Sequence, residues 1–389
     1  MPWCRYSLFA VLVACTGAFW VSGCKKTTPP GPPAAATSKA LSAADVAYDW
    51  TMFRGDPHQT GVARSALPER LVRLWSHQAD AGVSSTAAVV DQTVYVGTDD
   101  GRLLALELET GKPRWTYTAR EAVISGICVN EGRAFFGDGS GMFHAVDVKT
   151  GQKTWTFETQ AEIRSSANVS DGAVLFASCD STLYCLDAKT GRERWRVESG
   201  GPVYASPCIM TDTASTAGCD GVMQFIDLKT GEPRAEVSLG HNVASPAFHA
   251  GNLYAATVIN GLHCVDVATA EVLWSFGTKD LGELHASPAA GPWGVIIATR
   301  DGKVIRLDDG GVEQWRFSAT AGVASSPVVV GGRVFFGSDD GTLYAVGLDD
   351  GKRRWRVATG SSITASPAVA RGRLVVGTED GHVLCFGAK

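Results

Sequence analysis

Charge is scarce in this chain: Asp, Glu, Lys and Arg make up 19% of its 389 residues, and the formal net charge is only −5. No basic run is present to neutralise a phosphate backbone, which excludes nucleic acid as a partner, and no acidic block marks a disordered tail. Long apolar runs are missing too. The stretch from Leu8 to Trp20 falls short of the roughly 20 residues that a helical bilayer crossing needs. From residue 48 onward no segment sustains apolar residues at i, i+3, i+4 and i+7, so helices are not expected there. A Cys-x-x-Cys-His pattern is absent, which excludes covalently attached haem. What is plentiful is glycine, at 44 residues, and tryptophan, at 11, a pairing that points to many tight turns and a recurring aromatic.

The N-terminus reads as a targeting segment and is set apart from the fold. Arg5 supplies a short positive region, Leu8 to Trp20 an apolar run, and Val21-Ser22-Gly23-Cys24 resembles the site at which bacterial lipoproteins are acylated and cleaved. Residues 1–23 are therefore expected to be a lipoprotein signal peptide and Cys24 the lipidated residue. A second box, Leu12-Val13-Ala14-Cys15, leaves a cramped apolar run before it. Residues 24–47 are rich in Pro, Ala, Thr and Ser without hydrophobic periodicity, the composition of a flexible linker. Residues 48–389 remain for the folded body.

That body is a repeat. Trp75, Trp115, Trp155, Trp195, Trp274, Trp315 and Trp355 recur at a period of about 40 residues, and Ala235 occupies the one vacant slot. Each interval carries a small-residue segment such as Ala205-Ser206-Pro207, an apolar run such as Val334-Phe335-Phe336, an Asp-Gly turn such as Asp340-Gly341, and a second run such as Leu343-Tyr344-Ala345. A Thr-Gly turn then leads to the next Trp. Asp-Gly favours tight hairpins, so each unit reads as four short strands. Eight such units predict an all-β, eight-bladed propeller with four-stranded blades. The last unit ends at Lys389 without a Trp strand, so the strand holding Trp75 is expected to complete it, removing exposed sheet edges.

The pattern Ala145-x-Asp147-x-x-Thr150-Gly151-x-x-x-Trp155 resembles the tryptophan-docking motif of pyrroloquinoline-quinone (PQQ) type propeller repeats. The lead-in Trp50-Thr51-Met52-Phe53-Arg54-Gly55-Asp56 to Thr60-Gly61 is similar to the opening of many such proteins. The resemblance implies that each Trp is wedged between blades against a Gly turn. It also implies one of two activities. Quinoprotein dehydrogenases hold PQQ and a metal over the channel. A lipoprotein of the outer-membrane β-barrel assembly machinery uses the same ring as a scaffold without a cofactor. The adjacent Cys-Cys pair and long insertions of the enzymes are absent here, so the expectation is a non-catalytic, periplasm-facing scaffold with no cofactor. Its partners would be envelope proteins such as a β-barrel assembly complex, and its anchor the periplasmic face of the outer membrane. A PQQ- and calcium-dependent oxidoreductase and a ligand-sensing or carbohydrate-binding propeller are the alternatives.

A binding site is expected where the repeats stop being alike. The residue three before the Ser-Pro proline slot reads Ser84, Ile124, Arg164, Tyr204, Val243, His285, Ala324 and Thr364, where the chain enters each innermost strand at one channel mouth. Beside it lie His241, Asn242, Asp280 and Glu283, and Asn242 stands where the other units have Val, Ile or Leu. Arg164, Tyr204, His241, Asn242, Asp280, Glu283 and His285 are the candidate partner-binding residues, with no catalytic or metal-ligating set among them. The cysteines alternate with alanine in the repeat and read as small buried hydrophobes. Cys179 and Cys219 share one slot in adjacent units and would pair only if the blade spacing allowed it, although neighbouring blades usually hold equivalent atoms too far apart for a disulfide. Phe225, where most units have Ala or Cys, is expected to fill the space left at Ala235.

Overall fold

The computed structural model describes residues 48–241, 244–259, 261–278 and 281–389. Cys24, the signal segment, the linker, Asn242, Val243 and Asp280 lie outside the described residues. The described chain is all β, in eight sheets, each built around four antiparallel strands running outward from a central channel. The first blade is Ala88–Val90, Thr93–Gly97, Arg102–Glu107 and Pro113–Thr118, and the next six repeat this order. The eighth takes Ala368–Ala370, Arg373–Gly377 and His382–Gly387 from the C-terminus and Val72–Gln78 from the N-terminal side. Trp75 pairs with Cys385 in that last sheet, so the ring closes through the expected strand.

Adjacent blades are held by the tryptophans. In six of the outermost strands the Trp ring reaches the turn of the next blade and its Nε1–H donates to a backbone carbonyl there, as Trp115 to Val148 at 3.0 Å and Trp195 to Leu228 at 3.1 Å. Gly231 shows why glycine recurs. Its φ is +77°, and a Cβ would sit 2.7 Å from Trp195 Cγ. The same contact joins Trp75 to Gly111, Trp115 to Gly151, Trp155 to Gly191, Trp274 to Gly311 and Trp315 to Gly351. Trp355 differs, docking on the Leu71 carbonyl of the lead-in instead of a repeat turn.

Ala235 follows another rule. It is the register partner of Phe225, just as Trp195 is the partner of Cys185 and Trp155 of Ala145. Phe225 is buried and shares one core cluster with Ala235. Bulk has therefore moved one strand inward, as expected. The turn that would receive an indole carries Ala270 in the Gly slot, with φ +56°. At Trp315 the partner is Arg306, whose guanidinium donates to the carbonyls of Trp293 and Leu348.

The lead-in does more than precede the ring. Residues 48–63 run across one end of the channel and cap the free edges of the innermost strands, whose N–H groups would otherwise lack acceptors. Val89 N–H donates to Trp50 O, Val129 to Thr51 O, Ile209 to Pro57 O, Phe248 to His58 O, Ala290 to Thr60 O and Val329 to Gly61 O, all at 2.7–2.9 Å. Asn168 Nδ2 donates to Pro57 O and Arg371 N–H to Tyr48 O, so every blade is engaged. Val62–Ala63 adds a parallel fifth strand to the seventh blade.

Candidate functional site

With one end covered by the lead-in, the channel is a cup. It holds a cavity of about 530 Å³ opening at the mouth where the innermost strands begin. Ser84, Ile124, Arg164, Tyr204, His285, Ala324 and Thr364 line it, which is the variable position of seven repeats. Phe53 of the lead-in also faces the cavity.

Small hydroxyls line the wall because blades crowd toward the axis. Five of these serines accept from the backbone of the blade before: Gly126 N–H donates to Ser166 Oγ, Ser166 to Ser206, Ser206 to Ser245, Ser287 to Ser326 and Ser326 to Ser366, at 2.7–3.0 Å. These bonds stitch blade to blade at the wall. Beneath them Arg54 is fully buried and donates through Nη2 to the carbonyls of Pro288 and Pro327. Burial without a hydrogen-bonded carboxylate lowers its pKa to about 9, and Asp56 only partly opposes this. Gln59, also buried, donates to Ser206 O and Pro207 O.

At the mouth the structure brings Arg164, Tyr204 and His285 to one cavity. The Arg164 guanidinium lies 5.6 Å from the Tyr204 ring centroid and pairs with Glu162 at 3.0 Å. Tyr204 is 45% exposed, large for an aromatic ring on a folded surface. His285 pairs with Glu283 at 2.9 Å. Glu283 and His241 are exposed and do not line the cavity. His241 instead contacts the Cys219 carbonyl through Nδ1, at 3.0 Å. Cys179 and Cys219 are free thiols, and burial together with Glu162 pushes Cys179 up to about 12, far from a nucleophile's range.

Quinone chemistry on this ring would need a cation held by oxygen ligands, carboxylates above all, and a positioned base. The described lining of the cavity contains no Asp or Glu, and among the described residues no three His, Cys, Asp or Glu side chains group to hold a metal. The described residues of the cavity do not fit a calcium-held PQQ.

The lead-in's part in the site was not foreseen from the sequence. Phe53, Arg54 and Gln59 were legible only as a motif; the signal available was the set of eight innermost edges that needed capping.

Among solved structures the chain resembles BamB from Moraxella catarrhalis, with a TM-score of 0.70 and 21% identity over 82% of this chain and all of that one. It also resembles a europium-containing methanol dehydrogenase, with a TM-score of 0.76 and 16% identity over 87% of this chain and 98% of that one. Both likenesses show the fold alone. A curated relative, the outer membrane protein assembly factor BamB of Bordetella pertussis, is 33% identical over 110 residues, 28% of each protein, so the match spans little more than a quarter of that relative. The family described as outer membrane protein assembly factor BamB matches residues 72–169, 144–234, 220–324 and 300–389, together the whole ring from its first blade strand onward. The chain belongs to the BamB family of outer membrane protein assembly factors.

Proposed function

We propose that this protein is a non-catalytic scaffold in outer-membrane protein assembly, tethered through a lipid on Cys24 to the periplasmic face of the outer membrane, and that it holds an envelope protein at the open mouth of its cup. Family membership supports the assembly role. The observation that carries the site is the exposed Tyr204 ring with Arg164 against it, on the rim of a cavity walled by hydroxyls. Tyrosine and arginine are frequent anchors of protein interfaces because they bury area and still satisfy polar contacts. The absence of carboxylates from the described lining favours binding over proton-transfer chemistry. No specific observation favours the oxidoreductase or the sugar-binding reading.

The test is capture from detergent-solubilised membranes. The double variant Arg164→Ala, Tyr204→Ala should lose at least tenfold in retained partner while its melting temperature stays unchanged. Capture that survives this change but is lost on altering the lead-in face would move the site to the other end of the ring.

A further inference from the structure

The slot that lacks tryptophan does not close completely. Between the fourth blade, residues 208–238, and the fifth, residues 247–276, a groove of about 440 Å³ remains, on the face opposite the mouth. Met210, Phe225, Ala235, Phe248, Val267 and Ala268 form its apolar part. The other slots show what such a place receives. In the equivalent slot one blade earlier, Trp195 inserts and donates to Leu228 O, and on the receiving blade Arg234 donates to Asp227 at 2.5 Å.

Both groups are missing around this groove. Ala235 removes the indole, and Val267 O, in the place of Leu228 O, accepts from no side chain among the described residues. The second loss is on the fifth blade itself. Its Asp266 corresponds to Asp187 and Asp227, which pair with Arg194 and Arg234. The residue that should supply the arginine is Leu273, which is 53% exposed. Asp266 therefore keeps the contacts from Thr269 on Oδ1 and from the Ala268 backbone, and lines the groove with no cation paired to it among the described residues. Exposed Val272 and Leu273 extend the apolar surface beside it, where the third and seventh blades carry Glu193-Arg194 and Arg353-Arg354.

We propose that this groove is a second docking site, for a partner segment that presents a tryptophan next to a basic residue. The ring covers Phe225 and Phe248, and the cation pairs with Asp266, replacing in trans the indole that the neighbouring slot receives and the arginine that blades three and four supply in cis. Ala270 sets the depth. Its methyl stands where Gly231 leaves room for Trp195, so the incoming ring lies farther out than a resident one, which suits a reversible ligand.

The probe is acetyl-(5-fluorotryptophan)-arginine amide, followed by fluorine NMR against the folded protein. Binding near 1 mM is expected for one buried ring and one ion pair. The variant Asp266→Asn should weaken this probe at least threefold but leave a glutamine-containing analogue unaffected. Ala268→Arg, at an exposed turn, should weaken it at least fivefold without changing the melting temperature. Restoring the resident set with Ala235→Trp, Ala270→Gly and Phe225→Ala should abolish binding. Arg164→Ala, Tyr204→Ala should not alter it, which separates this site from the mouth. No binding to the wild-type chain, or equal binding to Ala268→Arg, would overturn the proposal.

Discussion

Trp195 and Gly231 form a couple whose energy can be measured, and blade four shows the same couple dissolved by nature. Trp195 is 9% exposed and packs in a core cluster with Leu183, Cys185 and Val203. A buried tryptophan covers about 150–250 Å², which at roughly 25 cal/mol per Å² sets an upper bound of about 4–6 kcal/mol. Two hydrogen-bonded sheets cannot collapse into the gap, so Trp195→Ala should cost about 4 kcal/mol, within the usual range for removing a large aromatic. Gly231→Ala acts through two terms. A left-handed φ of +77° costs a residue with a Cβ about 1–2 kcal/mol. The new methyl, 2.7 Å from the ring, adds strain of about 1–3 kcal/mol. Once the ring is gone the strain term disappears and only the backbone term remains. The double variant should therefore be less destabilised than the sum of the singles by about 2 kcal/mol. Urea unfolding of the four proteins, followed by circular dichroism with a common m-value, measures this coupling. Strict additivity would refute the account, and with it the explanation of why Ala235 occurs together with Ala270.

Replacing Cys24 with Ser should abolish incorporation of labelled palmitate and release the protein from membranes, because only a thiol carries the thioether lipid; continued labelling would transfer the assignment to Cys15. Deleting residues 48–80 should lower the melting temperature strongly, since it removes the closing strand and the edge-capping lead-in, whereas deleting 26–44 should change it little; equal melting temperatures would contradict a closed ring. The third concerns Asp138, buried on the second blade. Burial acts to raise its pKa, but hydrogen bonds from His144, Ser140 and the Met142 N–H prevail and hold it at about 2. A carboxyl lowered in the folded state adds stability above its unfolded value near 4 and loses it as pH falls toward 2. Asp138→Asn should thus melt well below wild type at pH 7, with the gap narrowing between pH 4 and pH 2; a gap constant over that window would exclude this linkage.

Much of the molecule was legible before any coordinates, because a repeat states the same physical demand eight times. A tryptophan at constant period, a glycine where the ring must approach backbone, and an Asp-Gly hairpin between apolar runs leave one architecture that buries every blade. The exchange of bulk at Phe225 and Ala235 could be read by alignment, since register partners share one face of a sheet. The mouth residues Arg164, Tyr204 and His285 emerged in the same way, as variation against a constant background.

Other features depended on distance in three dimensions. Trp50 and Thr51 meet Val89 and Val129, while Pro57 to Gly61 meet strands more than 100 residues away. No local pattern encodes that a short lead-in satisfies edges contributed by the whole chain. The burial of Arg54 is likewise a property of the closed ring, for an arginine between Phe and Gly reads as an exposed loop residue. The groove at Asp266 needed two absences to coincide: Ala235 lies on one blade and Leu273 on the next, and only their packing shows that both empty the same place. What the sequence determined by itself was every demand that recurs, because repetition separates signal from drift. What tertiary structure alone decided was the meeting of unique residues, because loop closure, not local preference, sets which of them share a site.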